Sequence, residues 1–423
     1  MQRSLAYALS PAPVVPLRFL LTAPWFAILG ALVLLWAGEP AFASRWSGAT
    51  LGATHLLTLG YLCMAMAGAM LQLIPVVAGT PIALSRASSG VSWCALAAGA
   101  LTLAAALITA TSALFLPAAW LLALAFGLLL LPVVRALARP ASGRAAPMVR
   151  GMRVAVAGLL ATLALGGSLA AHLGGHARLP VLLLTDLHAA WGLLGWVAML
   201  IICVAFQVIP MFQTSRSYPL RASLWAPWLL LGCLLGWSVA RWAAPHYAWP
   251  AGLPLAAVLA AFTVLTKYLL THRKRPQADA TTWYWQLCLA SLGGSVLLYF
   301  LPASEATTMA MGVTFIAGFA MGAVNGMLYK IVPFLLWFHL QQDPRAQKGC
   351  VPSLRELLPE ARGRRQFLLH AAALLALLGA VAWPAWLARP AAALLAIASL
   401  HLALDLGGAA RRARLARQRF HPS

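Results

Sequence analysis

The sequence predicts an all-α integral membrane protein with twelve transmembrane helices in three pseudo-symmetric four-helix units. The first observation is composition, since 62% of the 423 residues are hydrophobic and only 9% are charged. About 20 apolar residues in a helix span a hydrocarbon core ~30 Å thick. The second observation is that the apolar runs are unbroken rather than alternating, which favours helices over strands. The third observation is an internal repeat, which constrains a fold strongly.

Three stretches share one pattern, namely Gly60 to Pro75, Gly195 to Pro210 and Gly318 to Pro333. Each begins with a glycine and ends with a proline fifteen positions later, preceded by Ile or Val. A polar side chain stands three positions before each proline: Gln72, Gln207 and Lys330. The stretches lie at similar intervals, so the chain is predicted to consist of three tandem units of similar length.

Four apolar runs fall in each third of the chain, and each run is predicted to form one transmembrane span. The repeat pattern lies on the second, sixth and tenth runs, within pseudo-repeats of about 17–138, 150–270 and 282–409 in one membrane domain, 1–423. The runs are about 17–37, 51–77, 91–111, 116–138, 150–172, 184–212, 222–243, 249–270, 282–302, 307–338, 366–387 and 391–409.

The net charge of +22 is distributed as in a membrane protein. With a cytoplasmic N-terminus, all but five of the 30 Lys and Arg fall in cytoplasmic segments, including the longest loop, 339–365. This bias predicts that both termini are cytoplasmic. Attraction to anionic lipids explains the basic clusters without nucleic acid. The Ala, Leu and Arg bias favours a bacterial inner membrane.

Two histidines are candidate cofactor ligands. His55 is predicted near the outer end of the second span, and His188 near the outer end of the sixth. An imidazole there can bind haem iron or copper. The alternative is a cap or a hydrogen bond between helices, because polar residues in membranes usually face the bundle interior. The two residues lie 20 and 22 positions before their repeat prolines, so they are not two copies of one site.

Soft donors accompany the first histidine, because Cys63, Met66 and Met70 share an arc of about 80° with His55 on an ideal helix. Thiolate and thioether ligands favour Cu(I), although methionine also fills irregular gaps in packed interiors. A second candidate site for copper or zinc lies in the segment that connects the fifth and sixth spans. The alternative is that this segment is an ordinary loop without a metal. The candidate site consists of His172, His176, Asp186 and His188.

Charged residues inside the spans are few. Lys330 lies about one turn from the inner end of the tenth span, where a lysine is either functional or extends to the interface. Asp186 and Asp405 come nearest to the membrane interior, and both are predicted near span ends. His401 and Asp405 are four residues apart, which predicts a local hydrogen bond. A carboxylate proton relay is therefore not expected.

The chain resembles the catalytic subunit I of haem-copper oxidases, and more closely its divergent NnrS-like relatives. The likeness covers nearly the whole chain and is carried by His55 in THLLTLGY, His188 in TDLHAAWGLLGW and the segment GMLYKIVPFLLWFHL. It implies that His55 holds a haem. A second ligand should come from the tenth span, whose outer half offers only Met309 and Met311, so the expected partner of His55 is one of these methionines or His188.

The resemblance also implies what is missing. The copper-binding histidine pair expected around the seventh span and the GHPEVY-type motif of the sixth span do not occur. An oxygen-reducing enzyme is therefore not implied. The expected function is a non-oxidase membrane protein that binds haem b, copper or both in respiratory assembly or nitric oxide handling, alongside other respiratory membrane subunits. The alternatives are a permease for Cu(I) or a small neutral solute, and a cofactor-free scaffold subunit.

Overall fold

The computed structural model describes residues 6, 9–140, 145–275, 277–346 and 351–420. All regular secondary structure in these residues is helical. Eleven of the described helices are long and apolar enough to cross a membrane. The prediction of a helical membrane protein is confirmed at this level.

Twelve long helices follow one another along the described chain. In order they are α1 (Val14–Ala37), α2 (Gly48–Ala78), α3 (Arg86–Thr109), α4 (Phe115–Ala138), α5 (Ala146–Leu173), α6 (Val181–Gln213), α7 (Leu220–Ala243), α8 (Ala248–Thr271), α9 (Ala280–Leu298), α10 (Glu305–Gln341), α11 (Glu360–Ala382) and α12 (Pro384–Gln418).

Helix α9 stands where the ninth span was predicted, but it is not among the eleven. It has 19 residues, and polar side chains such as Thr281, Thr282 and Gln286 occupy its first two turns. These groups lower its apolar character, so length and composition alone identify eleven candidate crossings rather than twelve.

The predicted loop 339–365 is shorter in the structure. Helix α10 continues to Gln341 and α11 already begins at Glu360. Between them lies a short helix, Leu354–Leu357, whose N-terminus is closed by a capping box of Ser353 and Glu356. Residues 347–350 of the connection lie outside the described residues.

The three repeat helices share a structural irregularity that the sequence did not predict. Each changes from α-helix to π-helix for about two turns and then returns to α-helix. We call these stretches the π segments; they are Leu56–Cys63, Trp191–Ala198 and Thr314–Ala320. Each begins nineteen positions before its repeat proline. A π-helix closes hydrogen bonds five residues apart, so each segment accommodates an extra residue.

The same three helices are the most enclosed of the eleven. Buried residues make up 83% of the most apolar stretch of α2 and 67% in α6 and α10, against 22–44% in the other eight. The repeat therefore marks the interior helices.

Each repeat helix is also crossed closely by the helix before it, seven positions before its proline. A Cβ built on Gly68 of α2 would lie 2.8 Å from Leu20 Cγ, and one on Gly326 of α10 would lie 2.7 Å from Tyr284 Cβ. Where α5 crosses α6, the glycine lies on α5 instead, since a Cβ on Gly151 would lie 2.1 Å from Cys203 Cβ of α6. Small residues allow helix backbones to approach in this way.

The described chain divides into two compact units. Unit 1 contains α3 to α8, the last turns of α2 and the second half of α9. In it, α3 packs against α4, α5 against α6, and α7 against α8. Unit 2 contains α1, most of α2, the first half of α9, and α10 to α12. In it, α1 packs against both α2 and α12, so the first helix contacts the last.

Candidate functional site

His55 lies directly before the π segment of α2. Ser47 caps the helix that carries it, because Ser47 Oγ accepts a hydrogen bond from Thr50 N at 3.1 Å. His55 Nδ1 donates to the carbonyl oxygen of Leu51 at 2.8 Å. Since a carbonyl only accepts, Nδ1 carries the proton and Nε2 carries the lone pair. This is the tautomer of a histidine that ligates a metal through Nε2, with its ring orientation fixed by the other nitrogen.

The starts of α2 and α10 lie at the same end of unit 2. Glu305 Oε2, in the first turn of α10, accepts from Ser44 Oγ and from the backbone N of Arg45, both at 3.3 Å. Ser44 and Arg45 directly precede α2. Because the π segments of α2 and α10 are also in contact, the two helices run side by side in the same direction.

Met309 and Met311 lie in the first turns of α10, at a depth similar to that of His55. At 1.5 Å per residue, His55 is about 10 Å from the start of α2. Met309 and Met311 are about 6 Å and 9 Å from the start of α10. Met309 is buried and Met311 is partly buried. Three of the four predicted haem-ligand candidates thus belong to one unit, each within about 10 Å of the start of its helix.

His188, the fourth candidate, belongs to unit 1. Its Nδ1 donates to the carbonyl oxygen of Thr162 on α5 at 3.1 Å. The ring also lies against Gly166, where an added Cβ would be 3.0 Å from His188 Cε1. The hydrogen bond joins two helices, as in the alternative interpretation of this residue, and like that of His55 it places the ring proton on Nδ1.

The predicted metal group between α5 and α6 does not assemble. Asp186 Oδ2 accepts from Arg241 Nη2 at 2.8 Å, and His172 Nδ1 accepts from the backbone N of Leu179 at 3.0 Å. His176 is exposed. Across the part of the chain that the structure describes, no three His, Cys, Asp or Glu side chains form a group suited to a metal ion. Asp186 instead forms an ion pair with Arg241, and His172 accepts a hydrogen bond from the loop backbone.

The soft donors of α2 are all buried. Cys63 ends the π segment, and Met66 and Met70 follow it at three- and four-residue intervals, which places the three on one side of an α-helix. Their exposed fractions are 4%, 4% and 1%. This arrangement suits a thiol and thioether environment for Cu(I) and equally suits close packing.

The polar repeat position has three different environments. Lys330 Nζ donates to Asp279 Oδ2 at 2.8 Å, so this ammonium is held by a carboxylate directly before α9. Burial alone would raise the pKa of Asp279, but Lys330 and the donors of Thr282 hold it below its usual value. Gln72 is buried and Gln207 is half-buried. The three polar residues of the repeat therefore do not form three copies of one site. In α10 the residue at this position, Lys330, forms a structural ion pair.

A buried chain of tyrosine and amide side chains was missed by sequence reasoning. Tyr61 donates to Asn325 Oδ1, and Tyr284 is hydrogen-bonded to Asn325 and to Gln366 Oε1. Gln366 Nε2 in turn donates to the carbonyl oxygen of Ala398 at 3.3 Å. The four side chains are at most 2% exposed and connect α2, α9, α10, α11 and α12. The available signal was the occurrence of these polar residues within apolar runs.

Asp405 is completely buried, and its main partners are not the predicted one. Tyr329 on α10 donates to Asp405 Oδ2 at 2.7 Å, and Arg362 Nη1 on α11 donates to Oδ1 at 2.9 Å. His401 Nε2 lies 3.6 Å from Oδ2, beyond hydrogen-bond range. The predicted local hydrogen bond is therefore wrong, because partners on two other helices reach the carboxylate with better geometry.

His370 shows one way in which a π segment is stabilised. Its Nε2 donates to the carbonyl oxygen of Ala317, inside the π segment of α10, at 3.0 Å. A π segment disturbs the regular pairing of backbone groups, and a buried carbonyl needs a partner. The role of His370 in this structure is therefore to satisfy the backbone.

No protein-family model and no curated protein matches this sequence. Function must therefore be argued from the side chains themselves rather than from fold-level likeness.

Proposed function

We propose that this protein is a membrane-embedded haem protein of the haem-copper oxidase-like type that does not reduce oxygen. It holds haem b through His55 and acts in respiratory assembly or nitric oxide handling with other respiratory membrane subunits. In this proposal α9 is a twelfth crossing, the twelve helices form three four-helix units, and both termini are cytoplasmic at a bacterial inner membrane.

The observation that carries the proposal is the hydrogen bond between His55 Nδ1 and the Leu51 carbonyl oxygen at 2.8 Å. It orients the imidazole and places the ring proton on Nδ1, so Nε2 is the nitrogen that would bind the haem iron. The residue also directly precedes the π segment of the most enclosed helix. Segments of this kind inside α-helices occur frequently at functional sites.

The donor set fits a haem with one histidine and one methionine ligand. Met309 and Met311 share unit 2 with His55. Their distance from the start of α10 is similar to the distance of His55 from the start of α2. Haem b bound there would supply one-electron redox chemistry. Methionine ligation would raise the reduction potential of such a haem. This favours electron transfer over oxygen reduction.

Haem content of the purified protein tests this proposal. Protein from a haem-replete host is expected to show a Soret band. His55→Ala should lower haem content at least about tenfold, because the residue proposed to hold the iron is removed. Met309→Leu and Met311→Leu, made separately, should identify the second ligand by a shifted spectrum.

His188→Ala is the matched control, since it removes another helix-embedded histidine with the same kind of Nδ1 contact. It should leave the spectrum unchanged. Loss of the Soret band in this control would contradict methionine ligation. Colourless, copper-free wild-type protein would contradict the whole proposal and favour a cofactor-free scaffold.

A Cu(I) function is the second candidate, favoured by the burial of Cys63, Met66 and Met70 on one side of α2. Metal analysis of the same preparations addresses it. Copper that disappears in the combined Cys63→Ser, Met66→Leu, Met70→Leu variant would support copper binding or permeation. Copper content or uptake that is unchanged in this variant would exclude these three residues as copper ligands.

A further inference from the structure

Counted from its N-terminus, helix α12 has covered the hydrocarbon thickness by about Asp405. The apolar stretch from Pro384 to Leu404 is about 30 Å long, which matches the hydrocarbon thickness. The rest of α12 contains four arginines: Arg411, Arg412, Arg414 and Arg417. Arg362, the partner of Asp405, lies in the first turn of α11. The group around Asp405 is therefore at the depth of the lipid headgroups.

Positive charge exceeds negative charge in this group. Asp405 is fully buried, and Arg362 uses Nη1 to pair with it. Arg412 lies within electrostatic range of both Arg362 and Asp405. The two guanidinium groups and the one carboxylate together carry a net charge of about +1, at a place where one side chain, Arg362, is 46% exposed.

Arg412 is held in place but incompletely satisfied. Its Nε donates to the carbonyl oxygen of Leu357 at 2.8 Å. Its guanidinium lies over Gly408 of its own helix, where an added Cβ would be 3.4 Å from Nη1. Helix side chains incline towards the N-terminus, so this group points back towards the membrane surface. Its Nη2 is buried and has no hydrogen-bond partner among the described residues. An unpartnered charged donor is costly unless a negative group lies nearby. Because Nη2 itself is buried, a ligand outside the protein would contact the remainder of this partly exposed guanidinium.

We propose that Arg362 and Arg412 bind the phosphate of an anionic phospholipid headgroup between α11 and α12. Arginine pairs with phosphate through its planar fork of donors, and in the contacts described above Arg362 uses Nη1 and Arg412 uses Nε. Leu400 and Leu404 are exposed on α12 at the membrane side of the group, where acyl chains would lie. A soluble phosphate would gain the charge contact but not the apolar one.

This site differs from the general attraction of basic loops for the inner leaflet. That attraction is shared by all exposed Lys and Arg near the membrane surface. The proposed site depends on two particular side chains that are fixed by Asp405 and by the Leu357 carbonyl. It also goes beyond the proposed haem function, because none of its residues belongs to the haem-ligand set.

Lipid titration of the purified full-length protein in detergent tests the proposal. Thermal unfolding is followed while phosphatidylglycerol, phosphatidylcholine or inorganic phosphate is added. Phosphatidylglycerol should raise the unfolding temperature of the wild type most. In Arg412→Gln its apparent affinity should fall about tenfold, since one charge-assisted contact is lost. The control Arg414→Gln removes the same charge from an exposed position of α12 and should retain the wild-type response.

Each comparison is made against the variant's own lipid-free unfolding temperature, so a less stable variant remains informative. If Arg412→Gln does not fold, Arg412→Lys keeps the charge but loses the planar fork and should show an intermediate loss. Equal responses of the Arg412 and Arg414 variants would overturn the proposal. Inorganic phosphate that stabilises as well as phosphatidylglycerol would also overturn it, in favour of a soluble anion.

Discussion

Lys330 illustrates how a single polar residue in an apolar helix acquires its role from a distant partner. The sequence places it one turn from the end of a span, where an ammonium can extend to water. The structure instead pairs it with Asp279, which is 51 positions earlier in the chain. Asp279 also accepts from Thr282 N and Oγ1 at 2.8 Å and 2.9 Å and so caps α9. One carboxylate therefore stabilises both a helix start and a cation.

Asp279→Asn separates these two roles, because an asparagine can still cap α9 but cannot neutralise Lys330. We expect the free energy of unfolding to fall by ~2 kcal/mol, measured by reversible denaturation in detergent, since the ammonium is left without its counter-charge. Asp343→Asn is the control. Its partner Arg417 is 65% exposed, so water screens the charge and little change is expected.

The same pair makes stability dependent on pH in a defined direction. The pKa of Asp279 is lowered in the folded protein. The stabilisation of the folded state by its carboxylate is therefore complete above about pH 4, the pKa of an unfolded aspartate. It is lost as the pH falls further through the lowered pKa. A similar acid sensitivity of the wild type and of Asp279→Asn would show that this pair does not contribute.

At the scale of the element, the π segments explain what the sequence could and could not predict. Apolar runs and glycine–proline spacing were sufficient to locate α2, α6 and α10, and the hydropathy of the runs predicted membrane helices. The faces of those helices were not predictable, because an angle of 100° per residue assumes a regular α-helix. One extra residue turns everything beyond it by about 100°. Nothing in a local propensity distinguishes such a segment, since tertiary partners such as His370 stabilise it.

The close crossing of α5 and α6 provides a test at this scale. A Cβ on Gly158 would lie 2.2 Å from the backbone oxygen of Gly195, inside the π segment of α6. Gly158→Ala should therefore separate the helices and destabilise the protein by about 1–3 kcal/mol, measured by thermal unfolding. Gly167→Ala on the same helix is the control, because no atom lies within 4 Å of its Cβ position. Equal effects of the two substitutions would contradict a tight crossing.

At the scale of the whole molecule, the number of crossings decides the topology. Eleven helices qualify by length and composition, whereas the proposal counts α9 as a twelfth. An α9 of 19 residues is about 28 Å long, enough to reach across the hydrocarbon core. Its polar first turns are accommodated by other side chains, as Tyr284 shows by bonding to Asn325 and Gln366. Sequence hydropathy cannot register such internal partners.

Twelve crossings place both chain ends on the same side of the membrane, and eleven place them on opposite sides. We therefore expect reporters fused to the N-terminus and to the C-terminus of the full chain to respond identically, with activity only where the reporter is cytoplasmic. A reporter active in the cytoplasm at one end and outside at the other would exclude α9 as a crossing.

The matched positions of the three π segments also bear on the history of the chain. Three separate insertions at the same distance from three prolines would be a coincidence, whereas one insertion copied twice needs no coincidence. Under the proposed organisation in three four-helix units, one ancestral module that already contained the irregular helix accounts for all three positions. Each of the three helices retains the irregular turn, although the side chains around it differ.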